Sequence, residues 1–193
     1  MHTDSKSTRA VALPRRQFLF QSAATVLSGT AIALLAGKPA LARAAGDDKA
    51  ASDVRILNTA LAAEREAVAA YGVGAESGLL SQGVLGVAVT FQGHHKEHAD
   101  VLASTIRDLG GSVAEPVKSH NFPVDQLKSE ADVLKFAASL ERGAVSAYAG
   151  AIPLFDNRDL SKAAASILAD EAMHWAVLRQ ALGLDPVPGA FFS

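Results

Sequence analysis

The segment Asp170-Glu171-Ala172-Met173-His174 decides how this chain folds, because it places charged side chains where an apolar helix face is expected. The surrounding run, residues 163–182, contains neither Pro nor Gly, and its apolar residues recur at steps of three and four, which predicts an amphipathic helix. Glu171 and His174 both fall on the apolar stripe of this helix. Burying them costs free energy unless a partner neutralises them. A metal ion is the usual partner for Glu and His three residues apart on an inward face, and a solvated Glu-His pair is the alternative.

Three other segments show the same arrangement, in which chemically active side chains interrupt an apolar helix face. Glu64 lies on the stripe of the first predicted helix and Glu141 on that of the third, whereas the second carries His95 and His98. Because all four helices direct such groups inward, we expect these side chains to converge in one core. The predicted helices span residues 51–77, 84–109, 130–152 and 160–182.

Composition and loop lengths favour an all-α domain. Apolar residues make up 49% of the chain and aromatic residues only 6%, and strand-like alternation is scarce, which favours closely packed helices. The segment 112–129 contains Pro116 and Pro123, so we predict a long crossover there rather than a helix. Short turns join the other helices, which makes two helical hairpins joined by the crossover.

The two predicted hairpins resemble each other in sequence. Residues 64–71 and 141–148 match at six of eight positions. The Glu that begins each segment precedes a His of the following helix, His98 or His174, by 34 and 33 residues respectively. These matches indicate an internal repeat of one Glu-bearing and one His-bearing helix.

A Glu on one helix and a Glu-x-x-His pair on the next, given twice across a long crossover, resembles the pattern of the ferritin-like di-metal carboxylate proteins. The resemblance covers residues 45–193 and implies an all-α, ferritin-like four-helix up-down bundle with a long crossover between its second and third helices. It also implies that Asp170 orients a ligand histidine. The metal ligands that it implies are the terminal Glu64 and Glu141, the bridging Glu171, and one imidazole for each ion from His98 and His174.

The second helix departs from this pattern, because His95 stands where a second bridging glutamate is expected. Glu97 lies about 100° around the helix from His98, so it does not take the place of the missing bridging glutamate. Three glutamates supply three negative charges, which leaves two divalent ions with one uncompensated positive charge. A hydroxide, oxide or exogenous carboxylate is therefore needed, or the second ion binds more weakly. Three outcomes stay open: a two-ion centre of three Glu and three His, one tightly bound ion, or a fold that has lost its metal.

The resemblance implies that the protein binds iron, as a di-iron or mono-iron centre, and oxidises Fe(II) with O₂ or peroxide. Mn and Zn are alternative metals, and imidazole-rich ligation disfavours Mg and Ca. The alternative function is a metal-free ferritin-like scaffold or stress-protection protein, so enzyme activity stays open. Convergence of the six side chains would favour the metal. A His95 that points away, or Glu residues that accept hydrogen bonds from the tyrosines, would favour the scaffold. Some family members assemble into cages. An oligomer is therefore open for this chain, but no segment of its sequence specifies a cage interface.

Two tyrosines and a third histidine of the second helix lie near the candidate ligands, and the sequence indicates their roles less specifically. Tyr71 and Tyr148 each lie seven residues after a candidate ligand. We expect core aromatic rings with locally satisfied hydroxyls, and the alternative is a hydrogen-bond donor or redox-active phenol near the metal. His94 lies one step off the stripe, which predicts an outer or exposed position rather than ligation.

Residues 1–44 are predicted to be a processing signal rather than part of the fold. The segment Pro14-Arg15-Arg16-Gln17-Phe18-Leu19 resembles the twin-arginine export motif, and Ala42-Arg43-Ala44 supplies small residues at a cleavage spacing. The resemblance implies the twin-arginine export machinery as a partner and a periplasmic or otherwise exported protein. An uncleaved membrane anchor is the alternative. No later stretch has the apolar length of a membrane span, so no membrane contact is expected after signal removal.

The charge of the chain argues against nucleic acid as a partner. Of its 18 basic and 20 acidic residues, six and one respectively fall within residues 1–44, so the remainder carries a formal charge of −7. Such an acidic domain lacks the basic surface that nucleic acids require. The chain contains no Cys, which excludes a thiolate metal site and a disulfide framework.

Overall fold

Four long helices make up most of residues 47–192, which are the residues that the computed structural model describes. The predicted all-α four-helix bundle is confirmed, and no strand occurs within this range. The predicted signal, residues 1–44, lies outside it. No helix in the described range is long and apolar enough to cross a membrane. The helices are α1 (Asp47–Glu76), α2 (Gln82–Asp108), α3 (Glu130–Ala151) and α4 (Arg158–Ala181), with short 3-10 turns at Val124–Gln126 and Ile152–Leu154.

The helices form two antiparallel hairpins, α1 with α2 and α3 with α4, and α1 also packs against α3. Val54, near the start of α1, lies against Gly111, which follows the end of α2. Gly74, near the end of α1, lies against Val133, near the start of α3. Helix α1 is therefore antiparallel to both α2 and α3, so α2 and α3 run parallel. The connection over residues 109–129 must return along the bundle, a distance of about 40 Å for a helix of this length.

The ends of the helices follow from local hydrogen bonding. Ser129 caps α3, because its side chain accepts a hydrogen bond from the backbone N–H three residues later. Asn157 caps α4 by accepting from the N–H two residues later. Gly110 and Gly183 follow α2 and α4 with φ values of 75° and 72°. Glycine adopts this left-handed conformation without the steric penalty of other residues, so the helices end there.

The first part of the crossover is tied to α1. The Asn58 side chain donates to the Ser112 carbonyl oxygen at 3.0 Å and accepts from the Ala114 N–H at 2.7 Å. Arg65 donates to the Ala114 carbonyl oxygen at 2.6 Å. These bonds satisfy backbone groups of a segment that forms no regular structure, and they hold it along α1.

A layer of buried polar side chains divides the core of the bundle into two apolar clusters. The cluster at one end includes Leu61, Leu102, Ile106 and Ile167, and the cluster at the other includes Phe91. Along each helix the two clusters lie on opposite sides of the polar residues, so the candidate site occupies the middle of the bundle. The buried polar side chains of this layer are Glu64, His95, His98, Glu141, Glu171 and His174.

Asp53 is a further buried polar residue, which the sequence analysis did not identify. Its side chain is 1% exposed. Its carboxyl oxygens accept hydrogen bonds from the N–H groups of Asp156 and Asn157 at 2.9 and 3.0 Å. Asp53 therefore connects the start of α1 to the loop that begins α4.

Replacing Asp53 by Ala is expected to lower the free energy of unfolding by about 1–3 kcal/mol, because two partly buried N–H groups lose their hydrogen bonds to the buried carboxylate. Urea denaturation of the full chain, followed by circular dichroism, measures the loss. Asp48→Ala, which removes an exposed carboxylate from the same helix, is the matched control and should change little. Equal stabilities of the two variants would contradict this role for Asp53.

Candidate metal centre

The structure brings the six side chains predicted as metal ligands into one buried cluster, in which none is more than 8% exposed. All four helices contribute to it. The donor atoms form two overlapping groups, each with its atoms within 4.8 Å of one another. His95 and Glu171 belong to both groups, and the ligand role of all six stays a prediction. One group is Glu64, His95, His98 and Glu171, and the other is His95, Glu141, Glu171 and His174.

Several buried polar atoms of this cluster have no hydrogen-bond partner. They are His98 Nδ1, His174 Nδ1, Glu141 Oε2 and both carboxyl oxygens of Glu171. His98 Nδ1 and Glu171 Oε1 lie 3.1 Å apart, an ion-pair contact that lacks the geometry of a hydrogen bond. Orphaned buried groups of this kind are costly and rare in folded proteins. Imidazole nitrogens and carboxylate oxygens directed at common points form a donor set that fits transition-metal ions.

His95 lies between two carboxylates, in the place where the family pattern has a glutamate. Its Nδ1 is 2.8 Å from Glu64 Oε2, and its Nε2 is 3.3 Å from Glu141 Oε1. Only an imidazolium can donate from both nitrogens at once. Burial alone would lower the pKa of His95, but hydrogen bonds to Glu141 and Glu64 raise it to about 10. Without an ion, protonated His95 therefore joins a glutamate of α1 to one of α3.

The other two histidines also hold protons in the absence of an ion. Burial alone would lower the pKa values of both, but Glu171 and Glu64 raise that of His98 to about 9, and Asp170 and Glu141 raise that of His174 to about 11. Burial alone would raise the pKa of Glu64, but His95 and His98 lower it to about 2. Burial raises the pKa of Glu171, so this carboxyl holds a proton more readily than Glu64 does.

Two tyrosines bind the glutamates reciprocally across α1 and α3. The Tyr71 hydroxyl donates to Glu141 Oε1, and the Tyr148 hydroxyl donates to Glu64 Oε1 at 2.6 Å. This differs from the locally satisfied hydroxyls expected from the sequence. Seven residues place each tyrosine about 10 Å along the helix from its own glutamate, so it reaches the glutamate of the antiparallel neighbour. Convergence and Glu–Tyr bonding, which were expected to distinguish the two functions, thus occur together.

His94 and Asp170 border the buried cluster on its α2–α4 side. Asp170 Oδ2 lies 3.2 Å from both His174 Nε2 and His94 Nδ1. The side chain of His94 is 40% exposed, as its position off the apolar stripe predicted. Its contact with His174, 2.9 Å between Nδ1 and Nε2, was not foreseen, because the partner lies on another helix.

A groove of about 600 Å³ between α1 and α3 reaches the cluster from the side. Small residues such as Ala63, Ala67 and Ala144 line it, together with the buried Glu64 and Glu141. Volumes of this order are typical of small-molecule sites. The groove is therefore large enough to hold a small molecule beside the two glutamates.

The ion-free protein is expected to lose stability in alkali. The histidines have raised pKa values of about 9 to 11, so their contribution is complete below the unfolded-state pKa of 6.5 and is lost as the pH rises through the folded-state values. Glu64, whose pKa is lowered to about 2, acts in the opposite direction. Its contribution to stability is complete above pH 4.5 and is lost as the pH falls towards 2. The free energy of unfolding should fall by about 2 kcal/mol or more between pH 5.5 and 9.5.

Denaturation of the EDTA-treated full chain at pH 5.5, 7.5 and 9.5 measures this dependence. A His95→Gln variant, whose side chain forms hydrogen bonds but does not ionise, should show a flatter alkaline slope. Stability that stays constant or increases from pH 6.5 to 9.5 would show that the histidines are not held protonated.

Comparison with known proteins places these features in a family. The profile of the ferritin-like domain family matches residues 52–184. A conserved hypothetical protein from Mycobacterium tuberculosis has a similar structure, with 22% identity, a TM-score of 0.64, and coverage of 74% of this chain and 99% of that one. A ferritin-like, diiron-carboxylate protein from Bacillus anthracis strain Ames is similar at 21% identity, with a TM-score of 0.58 and coverage of 72% and 99%. No curated protein matches the chain. At these identities the structural likeness shows the fold alone.

Proposed function

The chain belongs to the ferritin-like domain family, and on this premise we propose that it is a metalloprotein that binds transition-metal ions, iron foremost, in its buried Glu/His cluster. The observation that carries the proposal is the set of orphaned donor atoms. Glu171 has two buried carboxyl oxygens without a hydrogen-bond partner, and unpartnered ring nitrogens of His98 and His174 face it from α2 and α4. A bound ion would satisfy these atoms together.

We infer the ligands from the two donor groups. Glu64 and His98 would hold one ion, Glu141 and His174 the other, and Glu171 would contact both. This agrees with the Bacillus anthracis relative, which is described as a diiron-carboxylate protein. Iron bound there would supply Fe(II) oxidation by O₂ or peroxide. Mn and Zn remain alternative metals, because the same nitrogen and oxygen donors bind them.

The tyrosines leave these ligands available. Tyr71 occupies only Oε1 of Glu141, while Oε2 has no partner. Tyr148 occupies Oε1 of Glu64, and the second oxygen faces His95. Each hydroxyl therefore holds a glutamate in a fixed orientation without occupying its second oxygen, which has no partner in Glu141 and is hydrogen-bonded to His95 in Glu64.

A metal-free scaffold is the second candidate function. The bonds of His95 to Glu64 and Glu141 favour it, because a protonated imidazole already cross-links the two carboxylates. This arrangement does not account for the unpartnered oxygens of Glu171. The metal therefore explains more of the site than the scaffold does.

The proposal includes export. Its support is the resemblance of residues 14–19 to the twin-arginine motif, followed by an apolar stretch and small residues at 42–44. That route carries folded proteins, and the cluster lies entirely within a helical domain that begins after this segment. The mature protein would then act in the periplasm or outside the cell.

Anaerobic Fe²⁺ titration of the full chain, with elemental analysis after desalting, tests the proposal. We expect two ions per chain bound in two steps, because three glutamates and neutral imidazoles leave the second ion uncompensated. The double variant Glu171→Ala/His174→Ala should lose both ions and remain helical. Glu66→Ala/His120→Ala, which removes the same residue types outside the cluster, is the matched control. Iron retained by the first variant, or no uptake by the wild type, would refute the proposed function.

Replacing His95 by Glu should increase the affinity of the second ion about tenfold or more, equivalent to about 1.4 kcal/mol. The substitution removes a proton-bearing group from between the two glutamates and adds a negative charge there. The same titration measures it. Second-ion affinity that is unchanged or lower would show that charge at this position does not limit binding.

A further inference from the structure

The two ring nitrogens of His174 face different environments. Nδ1 points into the buried cluster, 3.5 Å from Glu141 Oε1 and 3.8 Å from Glu171 Oε2, and it has no hydrogen-bond partner. Nε2 points to the α2–α4 edge, where it lies 3.2 Å from Asp170 Oδ2 and 2.9 Å from His94 Nδ1. The His174 ring is itself 2% exposed, so it separates the buried cluster from this edge.

The donor atoms at the edge have the spacing of a metal site. The three separations among His94 Nδ1, Asp170 Oδ2 and His174 Nε2 are 2.9, 3.2 and 3.2 Å. Tetrahedral ligands at the usual bond lengths of about 2.0–2.1 Å lie roughly 3.3 Å apart. Two imidazoles and one carboxylate form a donor set that suits Zn, Co or Fe ions.

This edge is accessible to solvent, unlike the buried cluster. The side chains of His94 and Asp170 are 40% and 24% exposed, whereas no residue of the buried cluster exceeds 8%. An ion can therefore reach His94 and Asp170 in the folded bundle and complete its coordination with water.

We propose that His94, Asp170 and His174 form a second, outer site, which shares His174 with the buried cluster, captures a divalent transition-metal ion from solvent and delivers it to that cluster past the His174 ring. The inference rests on the proposed function, because it requires that the buried cluster accept the ion. His94 contributes to capture only and is not a ligand of the buried centre.

The chemistry of an imidazole makes the two sites alternate. An ion at the outer site displaces the Nε2 proton of His174 to solvent and binds the freed lone pair, while Nδ1 keeps its proton towards Glu141. An ion at the inner site binds the Nδ1 lone pair instead. The single proton of the neutral ring then lies on Nε2, which donates a hydrogen bond to Asp170. During transfer Nδ1 loses one proton and Nε2 gains one, so the ring stays neutral. A neutral His174 serves one ion at a time, and filling the inner site empties the outer one.

Stopped-flow loading of the full chain with Co²⁺ tests the proposal, because the visible absorption of Co²⁺ reports its coordination directly. His94→Asn keeps a hydrogen-bonding side chain but provides a poor ligand, and His94→Asp keeps a ligand. We expect His94→Asn to load at least about tenfold more slowly than the wild type, with the same final Co²⁺ content after desalting. His94→Asp should load at close to the wild-type rate. His120→Ala, in the crossover, is the matched histidine control and should load as the wild type does.

The outcomes separate this proposal from the proposed function. Wild-type loading by His94→Asn overturns the outer site and leaves the buried centre intact. Equally slow loading by His94→Asp, or a lower final Co²⁺ content in His94→Asn, shows a structural role for His94 and also overturns it. Absence of Co²⁺ uptake by the wild type refutes both proposals.

Discussion

Mutual neutralisation of three carboxylates and three imidazoles in the middle of the bundle is the constraint on which the rest of the structure depends. An isolated charge at such depth would cost free energy comparable to the whole stability of a small domain. Every helix contributes to the cluster, so each must keep its register for the charges to meet. The apolar clusters on either side can tolerate small shifts of packing, but the polar layer cannot, because a displaced carboxylate would lose its partners.

The reciprocal tyrosines show how the register between α1 and α3 is held. These two helices pack against each other less extensively than the helices within each hairpin do, and the groove of about 600 Å³ lies between them. Tyr71 and Tyr148 bridge this interface in opposite directions, and each ends on a glutamate of the other helix. Because the two bonds are separated along the antiparallel helices, a sliding motion would break both. Polar contacts therefore fix an interface that leaves a groove beside the cluster.

Helical periodicity was sufficient to predict the four helices and to place six polar side chains on their inner faces. A polar residue within an apolar stripe must face the core together with its apolar neighbours. It was not sufficient where the partner lies on a different element. Asp53 is four residues before Leu57 on the same stripe, but its partners are backbone N–H groups beyond residue 155. The contacts of His94 depend on the relative rotation of α2 and α4, and the tyrosine partners on the packing of α1 against α3. Neither quantity is encoded in the spacing of one helix.

His95 determines how the site behaves without an ion. A carboxylate in its place would add a fourth negative charge to a buried cluster, and the ion-free core would then need a metal or further protons to stay folded. As an imidazolium, His95 instead donates to Glu64 and Glu141 and links α1 to α3 through its own ring. Under the proposed function, an incoming ion would have to displace this proton from those carboxylates. Folding would then depend less on metal, and metal binding more on proton release, than in sites that fold only around their ion.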